Sequence, residues 1–499
     1  MSFGFKTRLA KRGKMCRMTT STSPQCPFHG GQRPAPQHSP GEMPAIHPRG
    51  AWPPGPPVRF TGWSLLARMA RDLPGALRAW RARYGDLVHL RMWPEHELVV
   101  ADPALVRELL VQHHDALVRW ERGIQVFSQV QGNSVLIAEG PAWSAKRHAL
   151  QPGFAPRPVK AFVETIACAT SHALDGWNAG VPGRPEGQPI DSALTALAMD
   201  VIMRLMFSND IGREARTAEH AVHEALVTAN REMFWPASWP DWMPWQGRKR
   251  AAKATLAALV ARQLDARLAM PRGDWPADML TRLLQLHLDD PAAWPLSAVR
   301  DECMTAFLAG HETTAATLGW WAWCMASNPA AQETARREVD AVLRGGMPAD
   351  ADLPRLVYLE QTLKETMRLY PAAPILMSRR STRDIVLGGW TVPARTLFMI
   401  PVFLLHEDGR VFAEPRAFRP ERFAKDAPPI PRGAFMPFGA GPRVCLGQHL
   451  AMAEMTVVAA MLLQRFRLSA PPEQPPPEPV LNISLRPRMP LRLDLARLA

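Results

Sequence analysis

Three observations on this 499-residue chain predict a mainly α protein with a small β region. Apolar residues recur with helical periodicity from about residue 60 onward. Extended-type stretches are short: 87–100, 384–403 and a last piece, "LNISLRPRMPLRL". Composition is globular, 47% hydrophobic and 21% charged, enough for a large core.

In chain order, residues 1–57 read as a disordered, basic, Pro-rich tail. Eleven prolines lie between Pro24 and Pro57, and eight Lys/Arg stand against Glu42 alone within residues 1–50. The tail therefore holds +7 of the net +13, and the balance does not call for a nucleic-acid partner. Cys26 and His29 are metal-ligand types, but two ligands without partners make no site. Residues 58–499 show neither repeats nor an internal linker, so they form one large domain. Gly388-Gly389 marks a hairpin turn inside the 384–403 stretch.

No stretch supplies the roughly 20 apolar residues of a membrane span, and there is no signal-peptide core, so the expectation is a protein without a transmembrane segment. Six cysteines without a CxxC do not form a disulfide framework. Cys303 and Cys324 on one helix would stand about 31 Å apart, beyond bridging distance. A reducing, cytoplasmic location is the simplest reading.

The longest helical signal is "PLSAVRDECMTAFLAGHETTAATLGWWAWCMASNP", residues 295–329. Ser297 is the expected N-cap, Asp301 and Glu302 sit near the positive end, and Asn328-Pro329 stops the helix. Its flanks are apolar, so His311 and Glu312 in its middle need a chemical reason. "FMPFGAGPRVCLGQHLAMAE" (435–454) raises a second question. Gly439, Gly441 and Gly447 allow positive φ or close approach of a flat ligand. Cys445 lies at the start of a helix, where free N–H groups and the dipole favour a thiolate, the form that binds metal. Arg443 is within reach of an anionic ligand.

The pattern Phe438-Gly439-x-Gly441-x-Arg443-x-Cys445-x-Gly447 resembles, at every fixed position, the haem-binding loop of the cytochrome P-450 monooxygenases. The resemblance spans roughly residues 50–495. It implies the fold of that family, with haem b between the 297–328 helix and the helix after Cys445. Cys445 would be the axial iron ligand, with Phe438 against the thiolate side. "KETMRL" resembles the family's ExxR element, and "FRPERF" adds Arg422, implying a structural network of Glu365, Arg368 and Arg422. Trp143 and Arg147 look like the WxxxR pair that meets a haem propionate. Arg443 is a second propionate partner, and Arg379 a third, with Arg380 beside it leaving the register open.

"AGHETTA" (309–315) is similar to the family's oxygen-activating segment. Ala309 would face the haem, Gly310 and the threonines would distort the helix locally, Thr313 would donate a hydrogen bond at the oxygen site, and Glu312 would relay protons. His311 reads as a neighbour of the site rather than a ligand. Peroxide-using relatives carry Arg and Pro at the acid–alcohol pair, so its presence implies O2 and two electrons. The chain ends about fifty residues after Cys445. Electrons are therefore expected from a separate ferredoxin or flavodoxin with its NAD(P)H reductase. By alignment to the family, a substrate pocket would draw on Val135, Leu136, Phe307, Ala373 and Pro374, which suits a small apolar substrate, fatty-acid-like or terpenoid-like. "FWPASWPDWMPW" (234–245) reads as an access lid, a membrane-touching patch or packed loop anchors. The expected activity is hydroxylation or epoxidation; oxidative coupling is the alternative chemistry, and a non-catalytic haem-thiolate sensor the alternative class.

Overall fold

Helix Leu296–Ser327 is buried along most of its 32 residues, and the fold is assembled around it. The computed structural model describes residues 46–177, 188–208, 212–233, 238–472, 474–481 and 483–498. Pro295, not Ser297, occupies the N-cap position: its carbonyl accepts the amides of Ala298 at 2.8 Å and Val299 at 3.2 Å. Asp301 and Glu302 also differ from expectation. They accept the backbone amides of Asn133 (2.8 Å) and Val135 (3.0 Å), and Lys146 adds an ion pair to Glu302 at 2.9 Å. The carboxylates thus pin a neighbouring loop. Buried tryptophans anchor the helix at its other end. Trp320 donates to the Leu485 carbonyl at 2.8 Å and Trp321 to the Thr362 hydroxyl at 2.9 Å, so both indoles are satisfied.

The helix packs against Gln448–Arg465, which follows the cysteine loop, and against Val357–Leu369, which carries the ExxR residues. Leu318, Trp321, Met325, Leu363, Val457 and Leu462 meet in the core between them. Burial of that many large side chains, at roughly 1.5–3 kcal/mol each, holds the scaffold that presents the site.

The β region is not confined to the N-terminal side. Strands β1 (Leu87–Met92), β2 (Glu95–Val100), β3 (Leu117–Arg119), β4 (Leu376–Ser381) and β5 (Leu397–Ile400) form one sheet in the order β1-β2-β5-β4-β3. Only the β2–β5 pairing is parallel. Ile385–Leu387 and Trp390–Val392 form the expected hairpin, with Gly388 (φ 54°) and Gly389 (φ 81°) both in the left-handed region its two-residue turn demands. A second hairpin, Pro479–Leu481 with Leu485–Pro487, brings the C-terminal segment to the long helix.

Residues 46–57, expected within the tail, dock on the sheet. The Trp52 ring stacks on His89 and His96 at 4.3 and 4.4 Å, and Pro54 accepts the His89 amide at 3.1 Å. Proline fixes extended backbone, which suits a segment laid along a sheet edge. Residues 1–45, with Cys26 and His29, lie outside the described residues. No helix among the described residues is long and apolar enough to cross a membrane.

Candidate active site

The cysteine loop is closed by its own backbone. The Cys445 amide donates to the Phe438 carbonyl at 2.9 Å, and Val444 to Gly441 at 3.0 Å. Gly439 (φ 78°) and Gly441 (φ 73°) are both left-handed. A Cβ on Gly441 would stand 2.1 Å from the Leu110 carbonyl oxygen, so that glycine is required twice over. Burial pushes the Cys445 thiol up, while the Gly447 amide and the Arg147 charge pull it down. Cys445 is accessible, although the surrounding chain still desolvates its thiol.

The long helix has one accessible face in its middle. Ala309 is exposed, and Ala306, Gly310 and Thr313 are partly so, whereas nearly all other residues from 302 to 326 are buried. These four positions are i, i+3, i+4 and i+7, one face of an α-helix. Phe307 lies about 100° round from Ala306. It is fully buried against Phe207, 5.6 Å between ring centroids, and belongs to the core rather than a pocket. Pro374 is likewise buried, whereas Val135, Leu136 and Ala373 are partly accessible. The helix is continuous through 309–314, and threonine hydroxyls bond its backbone carbonyls there. Thr313 donates to the Ala309 carbonyl at 2.9 Å and Thr314 to Gly310 at 3.0 Å. Gly310 serves close packing, because a Cβ there would meet Ile202 at 3.1 Å.

Glu312 points elsewhere. Arg486 grips its carboxylate through Nη2–Oε2 at 2.6 Å and Nε–Oε1 at 2.9 Å, and the Ser484 hydroxyl donates to Oε1 at 2.6 Å. Burial would raise this carboxyl, but the Arg486 charge and these hydrogen bonds win and hold it down at about 2. A cavity of about 350 Å³ adjoins it, lined among others by Asp191, Glu219, His223, His311 and Arg486. His311 is buried, bonds the Phe307 carbonyl through Nδ1 at 2.5 Å, and is kept neutral by burial.

Positive charge collects beside the loop. Arg119 and Arg379 are partners across β3 and β4, where a register shift between Leu376 and Arg379 marks a bulge. Arg443 ion-pairs with Glu139 at 2.5 Å and lies over the Trp143 ring at 4.3 Å from its centroid. Arg147 donates to the Val444 carbonyl at 2.9 Å. Burial lowers the Arg119 and Arg379 guanidiniums, as does their mutual repulsion with Arg443. Glu139 is the carboxylate opposing it among the described residues, and Arg119 Nη1 is buried without a partner. Successive strand residues face opposite ways, so Arg380 turns to Glu95 and Glu121 at 2.8 Å each and leaves Arg379 to the cluster. The motifs did not point to Arg119, although its place opposite Arg379 in a paired strand is the signal that would.

The ExxR residues and Arg422 lie together. Glu365 takes a two-point bond from Arg368, at 2.7 and 2.8 Å, and Arg422 adds 3.2 Å. Arg368 also donates to the His406 carbonyl at 2.8 Å, and the His406 ring accepts the Met436 amide at 3.0 Å, tying this buried pair to the start of the cysteine loop.

This donor set fits haem b. An accessible cysteine at a helix start suits iron, and a surplus of buried guanidinium suits two propionate carboxylates, since unpaired buried charge is costly. Comparison with known proteins agrees. The cytochrome P-450 family model matches residues 53–494. The chain is 29% identical to cyclooctat-9-en-7-ol 5-monooxygenase of Streptomyces melanosporofaciens, covering 93% of this chain and 95% of that one. It is 31% identical to cyclooctatin synthase of the same organism (86% and 90%) and 29% to a chloroplastic carotene epsilon-monooxygenase of Arabidopsis thaliana (80% and 77%). The chain belongs to the cytochrome P-450 family and is a haem b monooxygenase of that family.

Proposed function

We propose that the protein hydroxylates or epoxidises an apolar, isoprenoid-derived substrate. The hydroxylation balances as substrate C–H, O2, two electrons and two protons giving C–OH and water. Haem b, held by Cys445, supplies the oxygen chemistry when bound. Arg119, Arg379 and Arg443, with Trp143 and Arg147, hold its propionates, and Glu365, Arg368 and Arg422 keep the loop in place. Ala306 and Ala309 leave room on the helix face where Thr313 offers its hydroxyl. Glu312 takes protons from the polar cavity beside it. The observation that carries the reading is the pairing of an accessible Cys445 with a buried arginine surplus.

The isoprenoid class draws support from the small residues on that face and from relatives whose names specify a cyclic terpenoid alcohol and carotene. Electrons come from a separate ferredoxin or flavodoxin with its NAD(P)H reductase. Exposed Arg157, Arg432 and His449 lie on or beside elements that carry the cysteine loop, where an acidic carrier would dock. Free cysteines at 168, 303, 324 and 445 support a reducing, cytoplasmic setting.

The test is spectroscopic and kinetic. Reduced protein with carbon monoxide should show the strongly red-shifted Soret band that marks haem held by a cysteine thiolate, and Cys445→Ser should lose it. Thr313→Ala should keep that band yet divert NAD(P)H electrons to peroxide with surrogate redox partners. Fully coupled product formation by Thr313→Ala would sink the role given to the hydroxyl. Absence of any substrate-dependent turnover by wild type would favour a sensor.

A further inference from the structure

We propose that Glu302 positions the 132–138 loop against the long helix and so sets the size of substrate that the protein accepts. Counting back one turn from Ala306 on the helix's accessible face arrives at Glu302. Its Oε1 accepts both the Val135 amide at 3.0 Å and the Lys146 ammonium at 2.9 Å. Asp301 takes the Asn133 amide at 2.8 Å, and Thr305, next to Ala306, donates to the Gln131 side chain at 3.3 Å. The loop therefore meets the helix just where its accessible face begins. Gly132 permits that approach: at its φ of 59°, a Cβ would stand 2.0 Å from Asp301 Oδ1. Ser134, between the two held amides, has a buried hydroxyl with no partner among the described residues, so the carboxylates and not that side chain carry the attachment.

The other end of the loop belongs to the arginine cluster. The Leu136 carbonyl accepts a bond from the Arg119 side chain, and the Ala138 carbonyl accepts Arg443 at 3.1 Å. Lys146 lies over the Trp294 ring, 5.0 Å from its centroid, on the helix that carries Trp143 and Arg147. Glu302 thus joins the long helix, that helix and the loop between them. Val135 hangs from one anchor and Leu136 from the other, and both are partly accessible. Val135 and Ala306 pack against the same core cluster, which contains Phe307 and Leu308. A loop held at both ends yields to a bulky ligand only by breaking bonds to charged groups, which are stronger than neutral ones. Pocket width is then fixed by Val135 and Leu136 on one side and by the small Ala306 and Ala309 on the other. The inference rests on the reading of that helix face as the substrate side.

The test uses the haem-loaded, full-length protein. Amide hydrogen exchange should be slow over residues 133–136 in wild type, and Glu302→Ala should speed it at least about tenfold. Pocket size is probed with imidazole, a phenylimidazole and a biphenylimidazole, whose binding shifts the Soret band. Glu302→Ala should move the ratio of affinities at least about tenfold toward the biphenyl ligand. Glu302→Gln keeps the one oxygen that both bonds use, so it should retain slow exchange and the wild-type ratio. Gly132→Ala drives the loop off Asp301 with Glu302 intact and should move the ratio the same way, which keeps the test open if Glu302→Ala does not take up haem. Faster exchange with an unmoved ratio, or an equal loss of affinity for all three ligands, would overturn the proposal. So would a shifted ratio in Glu302→Gln while exchange stays slow, which would trace size selection to charge and not to the loop. Wild type that gives no Soret shift with any of the three would sink the substrate reading of that face and this inference with it. Ligands that bind with an unmoved ratio would sink this inference alone.

Discussion

Arg486 closes a two-point ion pair on Glu312 across 174 positions of sequence, joining the C-terminal hairpin to the middle of the long helix. A carboxyl held at about 2 stays ionised through the neutral range. Any proton it passes on must therefore be accepted while this clamp is loosened, which makes Arg486 the residue that sets how readily Glu312 takes a proton.

Replacing Arg486 by Gln leaves a buried carboxylate with Ser484 alone. The lost pair should cost on the order of 3 kcal/mol at pH 7. The folded pKa of Glu312 is depressed, so the pair contributes fully above the unfolded value near 4.5 and fades as pH falls toward 2. Urea unfolding should show a smaller deficit of Arg486→Gln at pH 4 than at pH 7. An equal deficit at both would mean that packing, not the ion pair, is what the arginine provides.

Arg368 uses its guanidinium in every direction, toward Glu365 and the carbonyls of His406, Pro415 and Ala417. Lysine keeps the charge but has a single nitrogen and cannot reproduce that fork. Arg368→Lys should lose roughly 3–5 kcal/mol, as expected for a broken buried pair, and should release haem before global unfolding. Denaturant titrations following the Soret band and far-ultraviolet dichroism together would separate the two events. Coincident transitions at wild-type stability would show that the network does not hold the loop.

Much of the site was legible because its motifs are local. Cys445, Arg443, Trp143 and Arg147 sit in short stretches where spacing alone defines a helix face or a turn. What was missed depends on distant chain. Arg119 enters the cluster by pairing with Arg379 across two strands more than 250 residues apart, and Ser484 and Arg486 arrive on a hairpin that no helical period foretells. The misplacement of Phe307 is one of phase: counting back from Thr313 by 3, 4 and 7 leads to Gly310, Ala309 and Ala306, and excludes it. The Ser297 assignment failed on a boundary, where a proline carbonyl took the first helical bonds.

The glycines of the cysteine loop are unequal. Gly441→Ala meets both a φ of 73° and the Leu110 carbonyl at 2.1 Å, whereas Gly439→Ala meets strain at 78° but no atom nearer than 3.9 Å. Gly447 has φ −85° and nothing within 4 Å of a Cβ. Thermal unfolding of the three alanine variants should rank Gly441 as most damaging, Gly439 at about 1–2 kcal/mol and Gly447 near neutral or better. Loss of haem in Gly447→Ala without loss of fold would report the ligand's own approach to that backbone. A Gly441→Ala protein as stable as wild type would show that Leu110 can retreat.

Glu454 lies in the helix after Cys445, 4% exposed, with Oε1 buried and unpartnered. Burial alone pushes its carboxyl up to about 8, so it is protonated in the folded protein at neutral pH and ionised in the unfolded chain. The native state therefore binds one more proton than the unfolded state between pH 4.5 and 8, and stability must fall as pH rises through that window. By pH 7 the penalty is on the order of 3 kcal/mol. Glu454→Gln keeps the shape without the ionisation, so it should be more stable than wild type at pH 7 to 8 and similar near pH 4.5. Chemical unfolding at half-unit intervals of pH would measure both slopes. If the difference between the two proteins stayed constant from pH 4.5 to 8, Glu454 would have to be charged inside the fold, with a compensating cation as yet unassigned.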